Sequence, residues 1–253
     1  MDDPLLSSSS RSITDLTYPE IERYIRRGAA LLVPLGTTEP YGDTAPLGCC
    51  GALAQAVAER AAEQTDSLCA PLLAYGCAGG GRAFAGTTVV KPDTLAAFLA
   101  QCLHGWYAQG FRRLWLVDGG WNNGAAVDGA LRRLARLDSL RGCVFSWVRD
   151  SRVRSYWATI GGGPDTARAE QAAVSMMAFL KPAWVRGTQR SAGGQQAERQ
   201  WSRWRRRGQD PQLFRKLYPA ATVSSEALVP DVALGGKLLT YIVETLVGDL
   251  ANG

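Results

Sequence analysis

The sequence is poor in several things that would narrow its chemistry. It holds a single histidine, His104, and only four lysines, so its positive charge is nearly all arginine. Its six cysteines, Cys49, Cys50, Cys69, Cys77, Cys102 and Cys143, show no CxxC spacing. A disulfide framework is not expected in a domain this large, and the cysteines read as free thiols in a reducing cytoplasm. No apolar run approaches the ~20 residues that a membrane span needs. The opening "MDDPLLSSSSRS" lacks a basic segment followed by an apolar one, so it reads as a disordered lead-in over residues 1–16 and not as a secretory signal.

What remains is an ordinary globular composition. The 253 residues suit one α/β domain, here 17–253, with enough apolar side chains for a sizeable core. The excess of alanine, glycine and arginine is typical of GC-rich bacterial genomes. Net charge is +5, much of it in "ERQWSRWRRRG", residues 198–208. Tryptophan and arginine interleaved in this way can bind nucleic acid. No nucleic-acid-binding motif accompanies the segment, so a solvated helix face or a subunit contact is the preferred reading.

Hydrophobic periodicity divides the chain into alternating strands and helices. "TYPEIERYIRRG" is a helix with Thr17 as N-cap and Gly28 as stop. "ALLVPLG" is a continuously apolar, buried parallel strand. The helix "GALAQAVAERAAEQT" follows, then the strand "CAPLLAYG". "KPDTLAAFLAQCLHGWYAQGF" is a helix capped near Asp93 or Thr94, "RRLWLVDGG" a strand and "NNGAAVDGALRRLARL" a helix. "CVFSWVRD" is a strand, and "TARAEQAAVSMMAFLKP" and "VALGGKLLTYIVETLVGDL" are helices. This alternation predicts a three-layer α/β sandwich with a mostly parallel sheet. Residues 187–222 interrupt the pattern.

Ligands in such folds bind beyond the carboxyl ends of the strands. Three glycine-rich loops leave strands there: "GTTEPYGDTAPLGCC", "GCAGGGRAFAGTT" and "DGGWNNG". A fourth segment, "GGGPDTARAEQ", follows the last strand, and all four are expected to converge.

The order and spacing of "GTTEPYGDTAPLGCC", "FAGTTVVKPDTLAAFL", "GFRRLWLVDGGWNNG" and "DTARAEQAAVSMMAFLKPAWV" resemble the creatininase family, from about Thr17 to Leu250. Members read G-S-x-E-Q-H-G-P-H-L-P-L-G-T-D in the first loop, V-N-G-H-G-G-N in the third, and H-A-G-E at the later helix. The resemblance implies amide hydrolysis at a paired divalent metal site held by two histidines and three carboxylates, and a ring-like hexamer. Carried over by position, the first-loop glutamate is Glu39, but its histidine falls on Tyr41 and its aspartate on Cys50. The third-loop histidine falls on Gly120 and the H-A-G-E histidine on Ala167; the glutamate of that segment is Glu170. His104 sits in a helix pattern as a core or surface residue. Loss of the imidazoles implies that the family's metal pair is missing, and neither a metal nor another cofactor is expected.

The candidate catalytic residues are therefore Glu39, Cys50 and Glu170. Two carboxyls in one cleft without metal oppose each other's ionisation and form an acid–base pair. Cys50 stands at a helix start, where a thiol can be acidic and accessible; the alternative reading is a small, buried residue filling the space a metal would have taken. Tyr41 and Trp121 supply aromatic walls, and Asp118 and Asn122 polar contacts; Asn123 reads as structural. The leading reading is a repurposed enzyme using metal-independent acid–base or thiol chemistry on a small amide, amine or carbonyl substrate, in bacterial biosynthesis. One alternative is a metal-dependent amidohydrolase or peptidase with one metal on Glu39, Glu170 and Cys50 or Asp118. The other is a non-catalytic binding or scaffold protein. Trp201, Trp204 and the neighbouring arginines are expected to anchor a homo-oligomer.

Overall fold

The computed structural model describes residues 10–161, 167–186, 204, 210–222 and 228–253. Four parallel strands, β1 (Leu31–Leu35), β2 (Leu68–Cys69), β3 (Arg113–Asp118) and β4 (Arg141–Ser146), lie in the order β2-β1-β3-β4. The three-layer α/β sandwich read from the sequence is the architecture observed. On one face lie α1 (Tyr18–Arg26), α3 (Pro92–Ala108) and α4 (Gly124–Leu134). On the other lie α2 (Cys49–Gln64), α5 (Ser151–Thr159), α6 (Ala167–Leu180) and the terminal α8 (Val232–Asn252). Alternation along the strands feeds both cores: Leu31, Val33, Leu35, Leu114 and Leu116 point one way, and Leu32, Trp115 and Val117 the other. No helix among the described residues is long and apolar enough to cross a membrane.

Pro34 stands in the interior strand β1, where a missing N–H would normally cost a ladder bond. Leu32 and Pro34 face the β2 side, since their carbonyls accept from Ala70 and Leu73. β2 has already ended at Cys69, so the absent donor has no ladder partner to lose. The strand expected over "CAPLLAYG" is accordingly only two residues long, continued by an isolated bridge between Leu35 and Leu73. The open edge of β2 is met by the chain before α1: Cys69 N–H donates to Arg11 O, and Ile13 N–H to Cys69 O. The expected disordered lead-in therefore does not extend through residue 16.

Local signals set most helix ends. Thr17 N–H donates to the Glu20 carboxylate at 2.7 Å, and Asp231 caps α8 through Leu234 N–H. Helix α3 is capped by Lys91 and not by Asp93 or Thr94, because Pro92 supplies a first helical residue that needs no partner for its nitrogen. Helix α5 was absent from the sequence reading. Asp150, placed there in a strand, is its N-cap and accepts from Arg152 and Val153 N–H. A further short helix, α7 (Pro211–Leu217), lies in the segment that interrupts the pattern. It packs on a 3₁₀ turn, Gly80–Ala83, through Phe214. Trp204 is 2% exposed and sits edge-on to Phe214. It belongs to this intramolecular cluster and is not an exposed subunit anchor; Trp201 lies outside the described residues.

Helices α6 and α8 approach closely because Gly235 has no side chain: a Cβ there would overlap the Ser175 carbonyl. Gly248, on the same helix, has open space around it. Gly235→Ala should therefore destabilise the fold by about 1–3 kcal/mol despite its better helix propensity. Gly248→Ala should stabilise it by about 0.5–1 kcal/mol. Urea denaturation of the two variants checks the contrast, and equal shifts would contradict the packing described.

Candidate active site

The site is built around Asp118, the last residue of β3, which is completely buried. Its Oδ1 accepts from Gly120 N–H at 2.9 Å and from Asn123 Nδ2 at 2.8 Å. Its Oδ2 pairs with Arg149 Nη2 at 3.2 Å, and Arg149 Nε donates to Ser146 Oγ at the end of β4. Burial raises the Asp118 pKa, while Asn123, Gly120, Arg149 and Ser146 oppose that rise. Asn123 extends the network. Its Oδ1 accepts from Cys77 N–H at 2.8 Å, and its Nδ2 reaches Gly36 O at 3.5 Å. The loops after β1, β2 and β3 are thus tied by one asparagine, as the topology led us to expect. Of the fourth segment, residues 162–166 lie outside the described residues.

Glu39 sits in the first loop, anchored by its N–H to Leu47 O. The carboxyl is buried, and its Oε1 has no hydrogen-bond partner. Burial, then the charges of Glu170 and Asp118, push its pKa up to about 8. Glu170, in the first turn of α6, accepts from the Thr222 hydroxyl. The Tyr41 hydroxyl is buried without a partner. Its pKa is raised by burial, and next by Cys50, Glu39, Cys49 and Glu170. Trp121 packs against the core cluster that contains Tyr41 and Cys50, edge-on to Trp147 at 6.3 Å, with its indole N–H unpartnered. Glu39, Tyr41, Cys50, Asp118 and Glu170 therefore share one electrostatic neighbourhood with Trp121 beside it. Asn122 is exposed, toward Gly79.

Cys50 takes the buried one of its two sequence readings. It lies in the first turn of α2 with no exposed surface, and its thiol bridges a single residue. The Sγ accepts from Thr37 N–H at 3.0 Å and donates to Thr37 O at 3.1 Å. A helix N-terminus is worth about 0.3–1 kcal/mol to an anion, under one pKa unit, whereas full burial moves a pKa by up to 3–5 units. Burial wins, and the Cys50 pKa lies well above the usual thiol range. The structure shows the buried residue and not the accessible thiol. Arg149, Thr37 and Thr222 were missed. Arg149 had one available signal: Asp118 stands where the motif has asparagine, and a buried carboxylate calls for a cation.

The creatinine amidohydrolase model of the creatininase family matches residues 14–250. The chain belongs to the creatininase family. It is 30% identical over 162 residues to the creatinine amidohydrolase of Pseudomonas putida, a match covering 59% of each protein. With the mycofactocin precursor peptide peptidase of Mycobacterium ulcerans (strain Agy99) it shares 29% over 198 residues, 74% of this chain and 69% of the relative. Among solved structures, a creatininase mutant described as the Zn-Zn type superposes with a TM-score of 0.76. That alignment covers 97% of this chain and 98% of the other at 24% identity, and so speaks for the fold.

Three of the positions that the resemblance assigns to metal ligands hold other groups here. At the third-loop histidine position, a Cβ on Gly120 would overlap the Asn123 amide and stand 2.7 Å from Thr37 Oγ1, so there is no room for any side chain. Tyr41 and Cys50, at two further ligand positions, are buried; burial raises the pKa of each, and the Cys50 thiol is already engaged by Thr37. Asp118 is already engaged by three donors, and His104 is exposed on α3. Among the described residues no group of three or more His, Cys, Asp or Glu is arranged to hold a metal ion.

Two outcomes follow. Between pH 4.5 and about 8 the folded state holds a proton on Glu39 that the unfolded chain has released, so stability falls as pH rises through this window. The melting temperature of EDTA-treated protein should fall accordingly, and Glu39→Gln should remove much of the slope. Iodoacetamide on the folded protein should modify the partly exposed Cys102 and Cys143 before Cys50, which should react only after unfolding; early labelling of Cys50 in a peptide map would contradict its burial.

Proposed function

We propose that this creatininase-family chain is an amidohydrolase or peptidase that cleaves an amide-type C–N bond in a small or peptide substrate, with Glu39 and Glu170 as its proton-handling groups. The observation that carries the reading is Glu39: a buried carboxyl with one oxygen unpartnered, in the loop after an interior strand, beside the charge of Glu170. Two carboxyls that oppose each other's ionisation retain one proton between them. In the proposed cycle one carboxylate takes a proton from water as its oxygen adds to the substrate carbonyl. The protonated carboxyl gives its proton to the nitrogen as the C–N bond breaks. Tyr41 and Trp121 are assigned as donors and walls for the carbonyl end. Cys50 and Asp118 are assigned to holding Thr37, Gly120 and Asn123 in place, and Asn122 to the mouth of the site. The names of the curated relatives, an amidohydrolase and a peptidase, favour hydrolysis over the ring closure or condensation suggested by the rewritten loops alone.

A second reading, metal-dependent hydrolysis, is favoured by the solved relative described in a Zn-Zn form. One experiment separates the two. Hydrolysis of creatinine, other lactams and short peptides is followed with wild type, Glu39→Gln and Cys50→Ser, each with EDTA and with added Zn or Mn. The proposal expects turnover that survives EDTA, falls at least about 100-fold in Glu39→Gln and persists in Cys50→Ser. Turnover abolished by EDTA and restored by metal would establish the second reading. No turnover on any substrate would favour the binding or scaffold reading.

A further inference from the structure

Thr222 belongs to none of the four segments that follow the strands, yet its hydroxyl donates to Glu170 Oε2. It is buried, and it closes the stretch that begins at Asp210, the N-cap of α7. Two observations show how this stretch is held. Its aromatic side chains sit directly on the glycines of the second loop: a Cβ on Gly80 would fall 2.1 Å from Phe214 Cγ, and one on Gly79 would stand 3.2 Å from the Trp204 ring. The next glycine meets the first loop, since a Cβ on Gly81 would lie 3.0 Å from Pro40 Cδ and 3.7 Å from Glu39 Cβ. One stretch of glycine backbone thus links α7 to the segment that carries Glu39. The turn after α7 then directs residue 222. Ala221 N–H donates to Tyr218 O at 2.9 Å, and the buried Ala221 holds a φ of +59°, a conformation that a residue with a side chain keeps only where its surroundings impose it. Burial, and next the charge of Glu170, push the Tyr218 pKa up to about 12, so both ends of this turn lie near the Glu170 carboxylate.

We propose that Thr222 is a positioning residue for Glu170, delivered by α7 and the turn after it as a strap seated on Gly79 and Gly80. The proposal rests on the reading of Glu170 as a proton-handling group. Helix α6 fixes the backbone of Glu170 in its first turn, but the carboxyl hangs from that backbone by several rotatable bonds. A hydroxyl that donates to one oxygen selects among those rotamers. Selection matters because a carboxyl transfers a proton only within hydrogen-bond reach of the reacting atom, and a misplacement of about 1 Å can cost 100-fold in rate. The strap also couples the two candidate carboxyls. It packs on the loop beside Glu39 and holds Glu170 at its other end, so its seating sets how far apart the two groups stand. Thr222 thereby acts through Glu170, with no contact to the reacting bond of its own.

Crystal structures and steady-state kinetics of the full chain test this with Thr222→Val, Thr222→Ser and Gly80→Ala. Valine keeps the shape and removes the hydroxyl, and serine keeps the hydroxyl. Gly80→Ala displaces Phe214 and alters neither carboxyl. The Glu170 carboxylate should move by about 1 Å or more in Thr222→Val and Gly80→Ala and keep its place in Thr222→Ser. On whichever of creatinine, other lactams and short peptides the wild type hydrolyses, kcat should fall about 10–100-fold in the first two variants with KM little changed, and Thr222→Ser should stay within about threefold of wild type. Should Thr222→Val not fold, Gly80→Ala carries the same test. A Glu170 carboxylate that keeps its place in Thr222→Val would overturn the proposal, with or without measurable turnover. Displacement in Thr222→Val but not in Gly80→Ala would overturn the strap as its carrier. A displaced Glu170 with undiminished kcat would uphold the positioning and remove Glu170 from the chemistry, a failure of the proposed function alone.

Discussion

A buried negative charge at the end of β3 sets the terms for everything around it. Asp118 has no exposed surface, and a carboxylate in that position is costly unless donors surround it. Three of them do: the Gly120 amide, the Asn123 side chain and the Arg149 guanidinium. Two come from the loop after β3 and one from the turn after β4, so satisfying the charge also fixes where those two pieces lie. The register of the sheet makes this possible, since Asp118 lies directly opposite Ser146, and Arg149 follows three residues later. Asn123 then carries the constraint outward to Gly36 and Cys77.

The same knot shapes the electrostatics of the cleft. Asp118 adds to the negative potential felt by Glu39, already burdened by burial and by Glu170. The Asn123 amide lies where a side chain on residue 120 would have to go. Thr37, pressed against that position, is in turn gripped at both its N–H and its carbonyl by the Cys50 thiol. Two positions that the resemblance assigns to metal ligands, Gly120 and Cys50, are thus parts of a packed hydrogen-bonded wall. Glu39, Tyr41 and Trp121 retain unpartnered polar atoms beside it. A wall of this kind holds loops rigidly beside the two candidate carboxyls.

The segment that interrupts the helix–strand alternation contributes to the same edge of the sheet. Trp204, Phe214 and Tyr218 form their own small core, and Arg215 donates to Ala83 O at the end of the 3₁₀ turn. Thr222, at the end of this stretch, reaches the Glu170 carboxylate. A region whose composition suggested an outward-facing contact is, in its described part, folded inward to buttress the second loop and one of the two candidate carboxyls.

How much of this was legible in the sequence depended on range. The continuously apolar "ALLVPL" and "LWLV" demanded strands buried on both faces, and the alternation with helices demanded parallel pairing. Those facts alone determined the layers and brought Glu39, Asp118 and the first turn of α6 to one edge. Local capping chemistry determined the starts of α1 and α8, and the capping signal at Asp150 was present but hidden in an apolar run read as strand. What only the tertiary structure decided was the environment of individual side chains: the sealed Cys50 thiol, the filled space at Gly120, the inward Trp204, the partnership of Asp118 with Arg149. Strand and helix patterns are set by neighbours a few residues away. Burial and pKa are set by atoms that arrive from distant segments, and a desolvation cost of several pKa units outweighs the local helix-end effect that the sequence makes visible.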